Sequence, residues 1–296
     1  MSFAPRILVV GDLVTDVVVV PEGPIETGTD TLAAIAPSGG GQGANTAAWL
    51  AHAGAPVTLV ASVGDDASGR ERVAELTTAG VTCAIRAHPG SVTGTVVVLA
   101  TPDERTLITD PGACLLLTPA DAKQAVTTAE DAAHLHLSGY VLLNEGSRPA
   151  GRAALAAARE RGLTVSVDAS SAAPLRRVGA FLDWVRGTDL LLCNADEATV
   201  LAGPGAPEEQ AAHLTAHCRN VVVKLGPAGA VWAGPDGRLA RAAAPAGVAV
   251  KDPTGAGDAF AAGLLRAWSA GATPAECLSA GAALGAAAVT KIGARP

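Results

Sequence analysis

The sequence predicts an α/β fold, a three-layer α/β/α sandwich with a mostly parallel sheet, to which a small second β-sheet is attached. Three observations lead there. Short β-rich runs alternate with Ala-rich stretches of helical spacing over most of the chain. The runs are continuously apolar, as strands covered on both faces must be. Two segments break the alternation and cannot enter a parallel sheet through helical crossovers.

In chain order, strands are expected at 6–10, 57–61, 133–137, 163–167, 189–193 and 221–224. A further strand at 247–250 is expected before the helix running to residue 270. Helical patterns lie between, for example at 44–53, 149–161 and 208–217. The interrupting segments are 16–36 and 93–109. In the second, residues 95–100 and 105–109 flank Pro102-Asp103-Glu104, a hairpin signature. Four such strands would form a separate sheet beside the carboxyl ends of the main strands, where it would act as a lid over a ligand. The organisation expected is one domain over 1–296, with lid segments at about 16–36 and 93–109. Internal repeats and low-complexity linkers are absent.

The 296 residues, 49% apolar and 17% charged, are enough for a full core without disulfides or structural metals. A formal charge of −7 and a pI near 5.3 argue against nucleic-acid or anionic-membrane partners. No apolar run reaches the roughly 18 residues of a spanning helix. Residues 1–6 lead straight into an apolar strand without the features of an export signal. Cys83, Cys114, Cys193, Cys218 and Cys277 are scattered and never form a C-x-x-C pair, so reduced thiols in a cytoplasmic protein are expected.

Two constellations carry chemistry. The first, Ser38-Gly39-Gly40-Gly41-Gln42-Gly43-Ala44-Asn45, runs into a helix. Its glycines let the backbone approach a polar ligand, and Asn45 offers a donor and an acceptor suited to sugar hydroxyls. The plain alternative is a turn with Asn45 as its cap. No Gly-Lys-Ser/Thr follows, which excludes a Walker A loop, and Thr46 spoils a dinucleotide fingerprint. The second is Asp252-Pro253-Thr254-Gly255-Ala256-Gly257-Asp258 at the start of a helix. Gly255, Ala256 and Gly257 present N–H groups at a helix N-terminus, an anion site by geometry and dipole. Phosphoryl transfer needs such donors, and Asp258 in the first turn is placed to take a proton from an attacking alcohol. A dipole-favoured surface carboxylate would explain Asp258 alone but not the whole string.

Gly40-Gly41-Gln42-Gly43-Ala44-Asn45, followed by Gly64-Asp65-Asp66 and Gly69, resembles the first signature of the ribokinase-like, phosphofructokinase-B type carbohydrate kinases. The string 252–258 resembles the second. Asn194-Ala195-Asp196-Glu197 is similar to the family's N-x-x-E element, and Lys224-Leu225-Gly226 with Gly229 to its nucleotide-phosphate turn. The motifs stand in family order, and the likeness spans the chain. It implies an ATP-dependent kinase acting on a hydroxyl of a small molecule. Asp16, Gly40, Gly41 and Asn45 would bind the acceptor; Gly255, Ala256 and Gly257 would form the anion hole; Asp258 would be the base. Lys224, Gly226 and Gly229 would lie near the ATP phosphates, and the small residues at 282–288 near adenine. Asn194 and Glu197 would hold Mg2+ through water, and Asp252 and Thr254 a potassium ion.

Departures from the family pattern bear on the substrate. Val14 stands where ribokinases carry an asparagine, and Leu137-Ser138-Gly139-Tyr140 lacks a sugar-binding glutamate. Thr93-Gly94-Thr95-Val96 offers no base for a sugar phosphate. The resemblance therefore implies an unphosphorylated sugar, sugar acid or nucleoside, not ribose. The sequence ends at Gly293-Ala294-Arg295-Pro296, where family members continue into a helix, which would trim one edge of the nucleotide pocket. Alternatives are a vitamin-type kinase of the same superfamily, whose members lack the two lid segments, and a non-catalytic sugar or nucleotide sensor. Alternating apolar residues on the lid strands imply a homodimer through the lid. His213 and His217, spaced i, i+4, lack a third zinc ligand and read as a solvent-facing helix. His134 and His136 read as packing near a sheet edge, Trp184 and Trp232 as core or rim, and Arg176-Arg177 as a solvated face.

Overall fold

A computed structural model describes residues 5–100 and 105–296. Its strands are β1 (Arg6–Val10), β2 (Val14–Pro21), β3 (Ala33–Gly40), β4 (Val57–Gly64), β5 (Thr82–His88), β6 (Thr93–Ala100) and β7 (Arg105–Gly112). They continue with β8 (Ala132–Ser138), β9 (Thr164–Asp168), β10 (Leu190–Asn194), β11 (Val221–Lys224), β12 (Ala230–Ala233) and β13 (Leu239–Ala242). The main sheet has the order β13-β12-β11-β10-β9-β8-β1-β4-β5. It is parallel from β5 through β11, and β12 and β13 close it as an antiparallel edge.

The period-2 pattern of the strands explains the two cores. Leu8, Val10, Leu135, Leu137, Val165 and Val167 face one layer of helices, including Arg148–Glu160. Ile7, Val9, Leu59, Leu190, Leu192 and Val222 face the other, built from Gln42–His52, Ala256–Ser269 and Pro274–Ala288. Starting at β1, the chain adds β4 and β5 on one side, and from β8 onward builds on the other. The carboxyl ends of β1 and β8 thus form a switch point, where open α/β sheets bind ligands.

The two interrupting segments form a four-stranded sheet of order β3-β2-β6-β7, as expected; the expected turn at 102–104 lies outside the described residues. β2 and β6 run parallel, flanked by antiparallel partners. Asp66 clamps this sheet to the main fold. Its carboxylate accepts hydrogen bonds from the Gly69 N–H (2.7 Å), the Thr93 N–H (2.7 Å) and the Thr93 hydroxyl (2.6 Å). These bonds hold its carboxyl below the ordinary carboxylate range, against a burial effect in the opposite sense. A Cβ on Gly64 would strike the Ser91 carbonyl, and one on Gly69 the Gly64 carbonyl, so the glycines of this part of the first motif allow close backbone packing where β6 begins. Val20, Leu32, Ile35, Leu107 and Ile108 on this sheet and its connections are all exposed.

Three local expectations need correction. Residues 247–250 form a turn and an extended stretch, not a strand: Gly247 adopts φ +73°, and Val250 is 63% exposed. Backbone bonds from Lys251 and Asp252 N–H to the Val289 carbonyl hold the next residues instead. The helix expected at 208–217 stops at Leu214, so His213 and His217 do not share a helix face. His134 and His136 are not near an edge. They lie on β8, in the interior of the sheet, 1% and 0% exposed. Both His134 ring nitrogens meet hydroxyls, Thr164 Oγ1 and Ser166 Oγ, each at 2.7 Å, and His136 Nδ1 shares Ser166 Oγ at 2.8 Å. Burial drives the two imidazoles down to about 3 and about 4.

Other assignments stand. Trp232 is fully buried and stacked on Trp268, Trp184 lies under the Arg148 guanidinium, and Arg176 and Arg177 are exposed. The five cysteines are unpaired. Among the described residues no helix is long and apolar enough to cross a membrane.

Candidate active site

The first glycine loop is shaped by β1. Helix Gln42–His52 starts two residues earlier than expected, with Gly41 as its N-cap at φ +98°. A Cβ there would meet the Asp12 carbonyl, and one on Gly43 would lie 2.6 Å from Gly11 Cα. Asp12 receives the helix's first amides, from Gln42 N (2.9 Å) and Gly43 N (3.2 Å). Asn45 is therefore not the cap, and its side chain is free to turn elsewhere. Its Nδ2 donates to Asp258 Oδ2 at 2.9 Å, so the two motifs, 213 residues apart, meet directly.

Asp16 stands on β2, 8% exposed, with its carboxylate over Gly40, where a Cβ would collide with it. Burial raises its carboxyl to about 6, with Arg295 acting to lower it and Asp12 to raise it.

In the second loop Gly255 caps helix Ala256–Ser269 in the left-handed region, φ +75°, packed onto the backbone of Ala294. Thr254 N–H donates to Asp252 Oδ1 (2.6 Å) and Gly293 N–H to Asp252 Oδ2 (2.9 Å). The Ala256 N–H turns inward to the Pro253 carbonyl (3.3 Å). Amides of a first helical turn lack intrahelical acceptors, so the Gly257 region presents donors to an anion. Asp258 sits part-buried there. Burial pushes its carboxyl up to about 8; Asn45 and Lys224 oppose this, and Asp168 and Asp12 add to it.

Lys224 ends β11 and reaches this loop: its Nζ would lie 3.6 Å from a Cβ on Gly257. It is paired with Asp168 Oδ2 at 2.6 Å. Burial disfavours the ammonium, but Asp168 and Glu197 hold its pKa above the ordinary lysine value. Gly226 and Gly229 form the β11–β12 turn, where a Cβ on Gly229 would strike the Ala242 carbonyl. In the helix Pro274–Ala288, Ala282 and Ala288 are buried in the core. Asn194 and Glu197 make a reciprocal capping box: Glu197 accepts from Asn194 N and Nδ2, both at 2.8 Å, and Asn194 Oδ1 accepts from Glu197 N at 2.8 Å. Burial raises Glu197 to about 7, with Lys224 lowering it.

Asp12, Gln42, Ser138, Asp168, Ser170 and Arg295 were missed from the sequence. Gln42 Nε2 donates to Asp168 Oδ1 (3.1 Å), while its Oε1 accepts from Ser138 Oγ (2.6 Å) and Ser170 Oγ (2.5 Å). Ser170 holds this position at φ +72°, an unusual conformation for a side-chain-bearing residue and one that clusters at functional sites. Asp168 had a usable signal: it directly follows an expected parallel strand, at its carboxyl end.

Asp12, Asp16, Gly41, Gln42, Asn45, Ser170, Gly255 and Asp258 border a cleft of about 370 Å³, whereas Asp168, Asn194, Glu197, Lys224, Gly226 and Gly229 do not line it. Asp12, Asp16, Asn45, Gly255 and Asp258 form its polar floor, and Val14, Val96, Val98, Leu107, Cys114 and Tyr140 its apolar wall. Among the described lining residues there is no lysine or arginine.

Residues 4–296 match the family model described as pfkB family carbohydrate kinase. A 2-dehydro-3-deoxygluconokinase of Thermoproteus tenax is 32% identical over 80% of this chain and 75% of its own. An ATP-dependent ribose-1-phosphate kinase of Halopiger xanaduensis is also 32% identical, over 87% and 82%. The adenosine kinase of Sinorhizobium meliloti superposes with a TM-score of 0.89 at 24% identity, over 99% of this chain and 96% of that one.

Proposed function

Because the chain belongs to the pfkB family of carbohydrate kinases, we propose that it transfers the γ-phosphate of ATP to a hydroxyl of an unphosphorylated sugar, sugar acid or nucleoside, with Asp258 as the base. The observation that carries this reading is the meeting of Asn45, Asp258 and the helix N-terminus at one end of the cleft. The acceptor hydroxyl, oriented by Asp16 and Asn45, gives its proton to Asp258. Its oxygen bonds to the γ-phosphorus as the bond to the β-phosphate oxygen breaks. Charge on the equatorial oxygens is met by the amides around Gly257 and by Lys224, once that lysine shares its charge with phosphate. The oxygen-rich pair Asn194 and Glu197 suits a hard cation held through water; Mg2+ there would neutralise phosphate charge. Asp252 and Thr254 would hold potassium, which would order the anion loop.

Within this substrate group the lining favours a neutral acceptor with an apolar face, such as a nucleoside. Asp12 and Asp16, with no lysine or arginine among the described lining residues, disfavour an acid, and six apolar or aromatic side chains suit a base better than a polyol. Val14 and the Ser138-Gly139-Tyr140 stretch, which lack two expected polar contacts, leave ribose with two unpaired hydroxyls at about 1–3 kcal/mol each, or roughly 30-fold or more in specificity. The four-stranded sheet supports a carbohydrate-type over a vitamin-type kinase. It would act as the lid, and its exposed apolar residues would pair two lids in a homodimer. A panel of sugars, sugar acids and nucleosides, screened by thermal shift with an ATP analogue and then by ATP turnover, tests the reading. A nucleoside should rank first and ribose low. ATP binding without turnover on any acceptor would favour a sensor instead.

A further inference from the structure

The last residues of the chain run between the two motif loops. Gly293 N–H donates to Asp252, the Ala294 carbonyl accepts from the Trp49 indole at 2.9 Å, and Gly255 packs on the Ala294 backbone. This delivers Arg295 under β3, with its side chain only 15% exposed. The guanidinium donates through Nε to Asn45 Oδ1 (3.2 Å), through Nη2 to the Gly40 carbonyl (2.9 Å) and through Nη1 to Glu75 Oε2 (3.2 Å). A Cβ on Gly39 would collide with it, so the loop keeps the space it fills.

We propose that Arg295 is a positioning residue for the proton-accepting carboxylate, acting through Asn45. A carboxamide offers a donor at one end and an acceptor at the other, whereas a guanidinium only donates. With Arg295 in place, Asn45 must turn Oδ1 to the guanidinium and Nδ2 to Asp258. Without it the amide can flip and set an oxygen against the carboxylate. The side chains of Asn45, from its helix, Asp12 after β1, Tyr140 after β8, Asp168 on β9 and Lys224 on β11 act on Asp258. Of these, Asn45 is the one whose orientation Arg295 controls. The inference rests on the reading of Asp258 as the base.

A double-mutant cycle tests it. Arg295→Ala should lower kcat by about tenfold to 100-fold, the scale of a misplaced reacting group, with little change in KM for ATP. The acid limb of its pH profile should move upward, and Arg295→Lys, which keeps a donor, should recover part of the loss. In Asn45→Ala the same arginine change should cost nothing further; full additivity of the two losses would overturn the proposal. Should Arg295→Ala fail to fold, Arg295→Lys carries the cycle. The side-chain amide resonances of Asn45 in 15N-labelled protein provide a readout independent of turnover. They should shift and lose protection from exchange in the arginine variant, and unchanged resonances would overturn the proposal even if activity fell. If the wild type phosphorylates no acceptor, the base assignment fails, while these resonances still decide whether Arg295 sets Asn45.

Discussion

The two glycine loops look alike in sequence but need their glycines for different reasons. In the first, a side chain on Gly40, Gly41 or Gly43 would meet Asp16, the Asp12 carbonyl or Gly11. Those glycines are spaces already filled by the protein. In the second, Gly255 is of the same kind, packed against Ala294, but Gly257 is not. A Cβ there would have only the Lys224 ammonium nearby, at 3.6 Å. An unfilled space facing a buried cation at a helix N-terminus suits the anion that the proposed function places there. The same residue type therefore marks packing in one loop and ligand in the other, and only the surroundings tell them apart.

The strongest challenge to the functional half of that contrast is Asp258→Asn, which keeps shape and removes the proton acceptor. Turnover should fall by about 10² to 10⁴, with ATP binding retained in a calorimetric titration. Stability should move the other way. Burial raises this carboxyl from 3.8 to about 8, so between those values the folded state holds a proton that the unfolded chain has lost. The share of wild-type stability that this carboxyl supplies then declines as pH climbs through that window, and the asparagine variant escapes that decline. Above pH 8 the variant should melt higher than wild type.

Gly257→Val and Gly43→Ala sharpen the contrast directly. The valine should abolish ATP binding and turnover while leaving Tm within a few degrees of wild type. The alanine should instead lower stability by about 1–3 kcal/mol through overpacking, measured by urea unfolding. Equal destabilisation by both would erase the distinction. A smaller effect is expected in the pH dependence of wild-type kcat/KM, which should rise toward about 8 as Asp258 ionises. A flat profile from 6 to 9 would remove Asp258 as the base. The smallest effect is expected from potassium, a few-fold rise in kcat through the Asp252–Thr254 turn. Equal rates in sodium and potassium buffers would overturn the potassium assignment.

The second loop was legible because donors, cap and carboxylate follow one another within seven residues. The parallel strands were legible because burial on both faces leaves continuous apolar runs. What escaped is assembled across the fold. Ser138, Asp168 and Gln42 lie 30 to 126 residues apart and meet only because β8 and β9 end beside the first loop. Arg295 carries no local pattern at all, and its role comes from a crossing between loops. His134 and His136 misled for the opposite reason: polar residues on a strand suggest an edge, whereas here hydroxyls on β9 meet both ring nitrogens of His134 and Nδ1 of His136 in the interior, with His136 Nε2 left unpaired.

That histidine ladder sets an acid limit for the molecule. The folded imidazoles stay neutral down to about 3 and about 4, whereas an unfolded chain takes up protons from about 6.5. Below 6.5 these two residues thus draw the equilibrium toward the unfolded chain, while Asp258, Glu197 and Asp16, whose carboxyls burial raises, pull the other way over the same range. The strain falls on β8 and β9, which anchor both helical layers, so a partly opened form that spares them offers no relief. Replacing His134 and His136 together with apolar residues should therefore remove the histidine share of any stability lost in acid, read as a Tm at pH 4 that moves toward its value at pH 7.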